Sequence, residues 1–386
     1  MTATANPTIG RFGRVQVEML ECVYQHRLLS TAQLHALYRD GLSLRRTQRS
    51  LAAMERVGWL ESVREPGGMK LWFVTGAGAE AVETVTNRAE SRRTLIPCEQ
   101  AAGPLQQHTL AVNEVGVAFV RAACEQGDEF GPLAWRNEIA HPLGATTGRR
   151  ARSAAVIADA VLTYEQEQGD SGYTHLRFLE LDRATMATET LVAKLGRYLD
   201  LHEYVAPPSM HRGSKRFTGS PQWQERYSHF PAVMVVLANG SRTRLERRRW
   251  LTCGRWKRLY AERARYVDLY VCLLEDLIEQ GPFAPIFMSD LADGLVNWLG
   301  DAPPEPDGPK HEPPADTEDE PEPPEDLEPE STEPDDYDDA DWEASAFGDD
   351  HDDAQPDGRD PTADDGGLMA SLRMDEARLR EPWERG

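Results

Sequence analysis

Charge in this chain is segregated, and the segregation decides which residues can build a core. Positions 301 to 386 hold 32 Asp and Glu against 6 Lys and Arg, with 14 of the 26 prolines. Their apolar residues are scattered (Leu327, Tyr337, Trp342, Phe347). Such a stretch buries too little apolar area to offset its chain entropy, so it is expected to be a disordered acidic, Pro-rich tail. The whole chain carries 65 acidic and 42 basic residues, a net charge of −23. Residues 1–300 therefore hold 33 acidic and 36 basic residues, a net of +3. The acidity that would argue against a nucleic-acid partner belongs to the tail, and the body is mildly basic.

Three hundred residues suit about two domains at roughly 100–200 residues each. No apolar stretch reaches the ~20 residues of a membrane span, so no membrane partner is expected. The N-terminal MTATANPTIGRFGR lacks the apolar run of a secretory signal. The five cysteines (22, 98, 124, 253, 272) are odd in number, widely spaced and without a CxxC pair. They predict neither a zinc site nor a disulfide framework, and a cytoplasmic setting.

The spacing predicts a helix over 11–27, with Val15, Met19, Cys22 and Val23 recurring at helical intervals. Ser30 or Thr31 is a suitable N-cap for a short helix through Leu34, Leu37 and Tyr38, which Asp40-Gly41 breaks. A third helix begins at Ser43, carries Leu44, Thr47, Leu51, Met54 and Val57, and closes at Gly58. WLESV and MKLWFVT flank a tight turn at Pro66-Gly67-Gly68. Three helices followed by a hairpin give the order of a winged helix-turn-helix, placed at 11–90.

The third helix places Arg45, Arg46, Gln48 and Arg49 in its first two turns, where a recognition helix meets base edges and phosphates. Arginine suits guanine or phosphate, and glutamine suits adenine. Arg64 and Lys70 flank the wing turn. The clustering predicts double-stranded DNA as partner. The bland alternative is a solvated basic face on a protein-binding domain.

After a connector at 91–106, a second domain is expected over 107–300. HTLAVNEVGVAFVRAACEQG reads as a buried helix. PLAWRNEIA, AAVIADAVLTYE and HLRFLELDR read as strands, 187–204 as a helix, and FPAVMVVLAN as a buried strand. An arginine-rich helix (242–263) and VDLYVCLL follow. The order is α-β-β-β-α-β with further elements after it.

Three acids interrupt apolar strands: Asp159 in VIADAVL, and Glu180 and Asp182 in FLELD. Residues two apart in a strand share a face, so Glu180 and Asp182 project together, roughly 7 Å apart. Glu114 lies on the preceding helix. Buried carboxylates need a pair, a hydrogen bond or a metal. One solution is a divalent ion that activates water at a phosphoryl group. The other is structural, with Asp159 or Glu180 paired to Arg177 or Arg183.

The element order, Asp159 and the Glu180-x-Asp182 pair resemble the PD-(D/E)xK nuclease core, a restriction-endonuclease-like fold. That resemblance implies a first-helix acid at Glu114, a Mg²⁺ held by Asp159, Glu180, Asp182 and Glu114, and catalysis by Asp159, Glu180 and Asp182. The sequence departs from the pattern: Ala158 replaces the proline before the aspartate, and Asp182 replaces the motif lysine. Lys194, on the next helix, is the candidate substitute.

A broader resemblance rests on LLSTAQLHALY, SLRRTQRSLAAMERVGWL, LWFVTGAGAEAV, HTLAVNEV, IADAVL, FLELDRAT with KLGRYL, and FPAVMVVLAN. Over most of residues 11–290 the chain is similar to the replication-relaxation family of bacterial plasmids and mobile elements. That similarity implies a winged-helix domain joined to a nuclease-like domain, acting at a plasmid in replication or DNA relaxation, with the nucleoid or plasmid as its location. Two readings stay open: a divergent metal-dependent nickase, and a non-enzymatic regulator or replication accessory on a relict nuclease fold.

Two features stand outside both readings. RTRLERRRWLTCGRWKR (242–258) holds eight Lys and Arg against one Glu, with Trp250 and Trp256 among them. It is either a surface that tracks DNA with aromatic stacking or an amphipathic helix with core tryptophans. In the tail, Leu368, Met369, Leu372 and Leu379 could form a stripe for replication or conjugation proteins. His108 and His175 lack metal-ligand spacing and read as ordinary polar or core residues.

Overall fold

The computed structural model describes residues 12–39, 41–65, 67–86, 104–144, 155–168, 171–206 and 219–302. The expected acidic tail beyond 302, residues 91–103 of the expected 91–106 connector and the tip of the wing at Pro66 lie outside the described residues, and the connector's last three residues already belong to a helix. All the described residues belong to one unit, Met1–Pro304.

The chain opens with α1 (Arg14–His26), which buries Met19, Leu20, Cys22 and Val23 at helical spacing. A two-residue strand, β1 (Leu29–Ser30), leads into α2 (Thr31–Arg39). Ser30 is the cap: its Oγ accepts the Gln33 N–H at 3.0 Å, and its own N–H donates to Gln33 Oε1 at 3.0 Å. This reciprocal pair satisfies two donors at the helix start. Helix α3 (Leu44–Arg56) buries Thr47, Ser50, Leu51 and Met54. The hairpin β2 (Leu60–Arg64) and β3 (Lys70–Val74) follows, and the antiparallel sheet has the order β1-β3-β2. Three helices on a small sheet with a terminal hairpin is the winged-helix layout. Sequence reading missed β1, because two residues carry no alternation signal. Helix α4 (Gly76–Thr86) completes this part.

The remaining described chain runs α5 (Pro104–Gln126), β4 (Trp135–Pro142), β5 (Ala155–Gln168), β6 (Ser171–Asp182), α6 (Thr188–Glu203), β7 (Ala232–Leu237), α7 (Arg242–Ala264), β8 (Leu269–Leu273), α8 (Leu274–Gln280), β9 (Phe287–Ser289) and β10 (Leu295–Val296). The expected α-β-β-β-α-β order is present. Its seven strands form one sheet, β10-β9-β8-β7-β6-β5-β4. Among the described strands only β6-β7-β8 are parallel. Every residue of β7 and β8 is buried, which explains their unbroken apolar runs.

Two cores lie on the two faces of the sheet. Val112, Val115 and Phe119 of α5 pack with Leu179, Leu181, Met234 and Val236 on one face. Leu191, Leu195 and Leu199 of α6 and Trp256 of α7 pack with Phe178, Val233 and Val235 on the other. The first core also contains Met19, Leu34, Leu51 and Trp72, so the winged helix and the sheet share one apolar interior. Polar contacts reinforce that junction. Gln33 Nε2 donates to Leu110 O at 2.9 Å and to Glu114 Oε2 at 2.6 Å. Asn113 Nδ2 donates to Leu28 O at 2.9 Å, and the His26 ring stacks on Trp135 at 4.0 Å. Among the described residues no helix is long and apolar enough to cross a membrane.

Candidate functional site

The acids of the sheet meet at a fork. Strands β5 and β6 pair antiparallel from Gln168↔Ser171 to Ala160↔Leu179. β5 also pairs with β4, from Trp135↔Leu162 to Pro142↔Ala155, and that pairing continues before Ala160 (Ala158↔Ile139). β6 pairs with β7 from Arg177↔Ala232 to Asp182↔Leu237, so beyond Leu179 it continues on β7 after leaving β5. Asp159 stands at the branch point, and its Oδ2 accepts the Leu181 N–H at 2.8 Å. The residues on either side of it face opposite cores: Ala158 packs on the α6 side, and Ala160 on the α5 side. A strand of strict period two cannot do this. The break in periodicity is what frees the carboxylate to fill the gap between the diverging strands.

Three side chains converge on Asp159 and Glu180. Lys194 Nζ of α6 lies 3.8 Å from Asp159 Oδ1 and hydrogen-bonds Glu180 Oε2. Tyr198 OH, one turn on, donates to Glu180 Oε1 at 2.5 Å. His108 Nε2 of α5 lies 3.4 Å from Asp159 Oδ1. Helical spacing explains Lys194 and Tyr198, since positions four apart share a face. Gln107, beside His108, accepts from Arg183 Nη2 at 2.5 Å. His108 is thus a correction to its reading as an ordinary residue: it faces the acid site.

Electrostatics divides the two carboxylates. Burial acts to raise the Asp159 pKa, but His108, the Lys194 charge and the Leu181 N–H outweigh it and hold Asp159 below its usual value. Glu180 is pushed up to about 8, by complete burial first and the neighbouring Asp159 charge second. Lys194 and Tyr198 oppose that rise without cancelling it. Burial lowers and the two carboxylates raise the Lys194 pKa, and the carboxylates win. Tyr198 is raised well above its ordinary value by burial and by Glu180. Near neutral pH the site therefore pairs an ionised Asp159 with an ammonium, beside a Glu180 that readily holds a proton.

The other predicted acids are engaged elsewhere. Glu180 and Asp182 share a strand face, as expected, but Asp182 Oδ2 is bound by Arg248 Nε of α7. Arg248 Nη1 also reaches Thr188 Oγ1 at 3.3 Å. Glu114 accepts from Gln33 of the winged helix. Among the described residues no group of three or more His, Cys, Asp or Glu is placed to hold a metal ion. The four-carboxylate Mg²⁺ set expected from the sequence is not what the fold assembles. Lys194 takes the place of a cation between the two acids that do meet. Of the structural partners weighed, Arg177 instead donates to Leu176 O at 2.9 Å and Trp298 O at 3.0 Å.

On α3, Arg45, Arg46, Gln48 and Arg49 are all exposed, while Thr47 and Ser50 turn inward. At the wing, Arg64 is exposed and its Nη1 donates to Gly68 O at 3.3 Å. Lys70 is held inward: Nζ lies 2.9 Å from Glu55 Oε2 and 4.0 Å from the centre of the Trp72 ring.

A family model described as Replication-relaxation matches residues 20–211. Among solved structures, a match is a cysteine-to-serine mutant of MarR from E. coli complexed with operator DNA. It is 17% identical, covers 31% of this chain and 78% of that chain, and has a TM-score of 0.19. No curated protein matches.

Proposed function

Over residues 20–211 this chain belongs to the replication-relaxation family, and on that premise we propose that it is a DNA-binding protein of a plasmid or mobile element. It acts there in replication or DNA relaxation. The observation that carries the reading is the exposed start of α3. Arg45, Arg46, Gln48 and Arg49 point to solvent from a helix whose inner face is locked into the core. That leaves four hydrogen-bonding side chains on a rigid support, which is what reading a major groove requires. Arg64 extends the surface at the wing, and Lys70 acts through Glu55 and Trp72 rather than by direct contact.

The body around the acid fork then serves as a replication accessory on a nuclease-like scaffold. A second reading, cleavage of one DNA strand, draws on the meeting of Asp159, Glu180 and Lys194 at the diverging strands. The side chains present do not fit a divalent ion, since Asp182 and Glu114 are bound to other groups. No metal-dependent step follows from them.

The deciding experiment incubates supercoiled plasmid with the full chain and Mg²⁺ or Mn²⁺, beside Asp159→Ala and Glu180→Ala. The accessory reading expects a mobility shift without nicking. Nicking by the wild type that both variants abolish would replace it with the nickase reading. A duplex affinity unchanged in Arg45→Ala/Arg49→Ala would overturn winged-helix DNA binding.

A further inference from the structure

Helix α7 divides its basic residues into two sets. One set, partly buried and partly at the exposed helix start, is paired within the fold. Arg248 binds Asp182, Arg242 binds Asp276 at 2.5 Å, and Arg249 donates to Ile286 O at 3.2 Å. Arg244 donates to Ala184 O at 3.0 Å, and Arg255 pairs with Glu189 at 2.6 Å. Trp256 is fully buried, and its Nε1 donates to Asp290 at 3.1 Å. This half of the helix is structural.

The outward set is different. Arg247, Lys257 and Arg258 are exposed, and among the described residues none of them forms an ion pair. Trp250 lies between them with 64% of its surface open to solvent. At about 100° per residue, Arg247, Trp250, Gly254, Lys257 and Arg258 fall within an arc of roughly 100°. Arg247 and Arg258 stand about 16 Å apart along the axis at ~1.5 Å per residue. Gly254, one turn after Trp250, leaves open space on this face. An indole exposed this far is costly to keep in water, and three cations outside any ion pair among the described residues add little to the fold.

We infer that this face of α7 is a binding surface for single-stranded nucleic acid, separate from the winged helix. Trp250 stacks on an unpaired base over the gap left by Gly254, and Arg247, Lys257 and Arg258 hold the flanking phosphates. A duplex fits poorly, because its bases are already stacked on each other. Aromatic stacking between spaced cations is the chemistry of sequence-tolerant single-strand binding.

The test measures fluorescence anisotropy of a labelled oligothymidylate of about 20 nucleotides, and of a duplex of the same length, with the full chain. Trp250→Ala should weaken oligothymidylate binding roughly 5- to 140-fold, the range that stacking on one aromatic supplies. Duplex affinity should stay within about two-fold. Arg247→Ala/Lys257→Ala/Arg258→Ala should lower the salt slope for the single strand by about 2, at ~0.7 per phosphate bound. Trp250 is exposed, so thermal melting of Trp250→Ala should match the wild type and report an intact fold. The inference fails if the wild type does not bind the oligothymidylate, or if Trp250→Ala binds it unchanged. Equal loss on duplex and single strand overturns the preference for single strands. Loss in Arg45→Ala/Arg49→Ala with none in Trp250→Ala places the single strand on the winged helix and overturns the inference.

Discussion

The Asp159 carboxylate takes the place of a strand partner for Leu181, accepting its backbone N–H at 2.8 Å where β5 and β6 part. A buried donor left unsatisfied costs about 1–3 kcal/mol. Asp159→Ala should therefore lower unfolding stability by about that amount, while Asp159→Asn, which keeps an acceptor oxygen, should lose less. Urea unfolding of the two variants checks this, and equal losses would show that the Leu181 bond contributes nothing.

Glu180 sets a pH dependence. Its folded pKa, about 8, lies above its ordinary value of 4.5. The folded state therefore binds a proton more tightly than the unfolded state between those values. The contribution is fully present below pH 4.5 and is lost as pH rises through about 8. Glu180→Gln cannot titrate, so it should gain on the wild type steadily across that window. Buried His141, lowered to about 4 mainly by burial, acts oppositely below pH 6.5, but it is common to both proteins and cancels in the difference. A difference that does not vary with pH would remove the assignment.

For α3, each phosphate left unbound by a substitution should reduce the slope of log affinity against log salt by about 1. Arg45→Ala/Arg49→Ala should therefore flatten the duplex-DNA salt dependence by up to about 2 as well as weaken binding. Lys70→Ala should act mainly on stability, by removing the Glu55 pair and the packing on Trp72. Anisotropy titrations at several salt concentrations separate the two effects.

Gly116 lies on α5 where a methyl group would meet Trp135 Cε2 at 2.4 Å. Alanine in a helix normally gains about 1 kcal/mol over glycine. Overpacking costs about 1–3 kcal/mol and should prevail here. The loss should also loosen the winged helix, because Trp135 stacks on His26 and its Nε1 bonds to Asn113 at 3.3 Å. Gly116→Ala should show a lower Tm and faster hydrogen exchange in α1.

What the sequence made legible followed from local rules. The helical spacing of Met19, Cys22 and Val23, the Ser30 cap and the unbroken apolar β7 place their elements where they are observed. The shared face of Glu180 and Asp182 is likewise a property of any strand. Which side chains those acids meet depends on contacts distant in sequence. Arg248 reaches Asp182 only because α7 packs beside α6 on the same sheet face. Tyr198 could have been found, since it follows Lys194 by one helical turn. His108 gave no such signal, because its approach to Asp159 depends on how α5 lies across the sheet. The two tryptophans of α7 looked alike in sequence, and only packing put Trp256 inside and Trp250 outside.

The Arg248–Asp182 pair is the sharpest test of how the acids are used. Both side chains are buried, and among the described residues Asp182 Oδ1 has no hydrogen-bond partner. Removing one partner of a buried pair strands the other charge and typically costs about 3–5 kcal/mol, whereas replacing both by apolar groups is often neutral. Arg248→Met alone should destabilise the protein by about that amount, and Arg248→Met/Asp182→Leu should recover most of it. Because Asp182 is held as a structural partner, Mg²⁺ should not restore Arg248→Met. Denaturant unfolding with and without Mg²⁺ reads all three proteins. A single variant rescued by Mg²⁺ would show Asp182 to be a metal ligand released from its arginine. A double variant no more stable than the single one would show that the single variant's loss does not come from a stranded Asp182 charge.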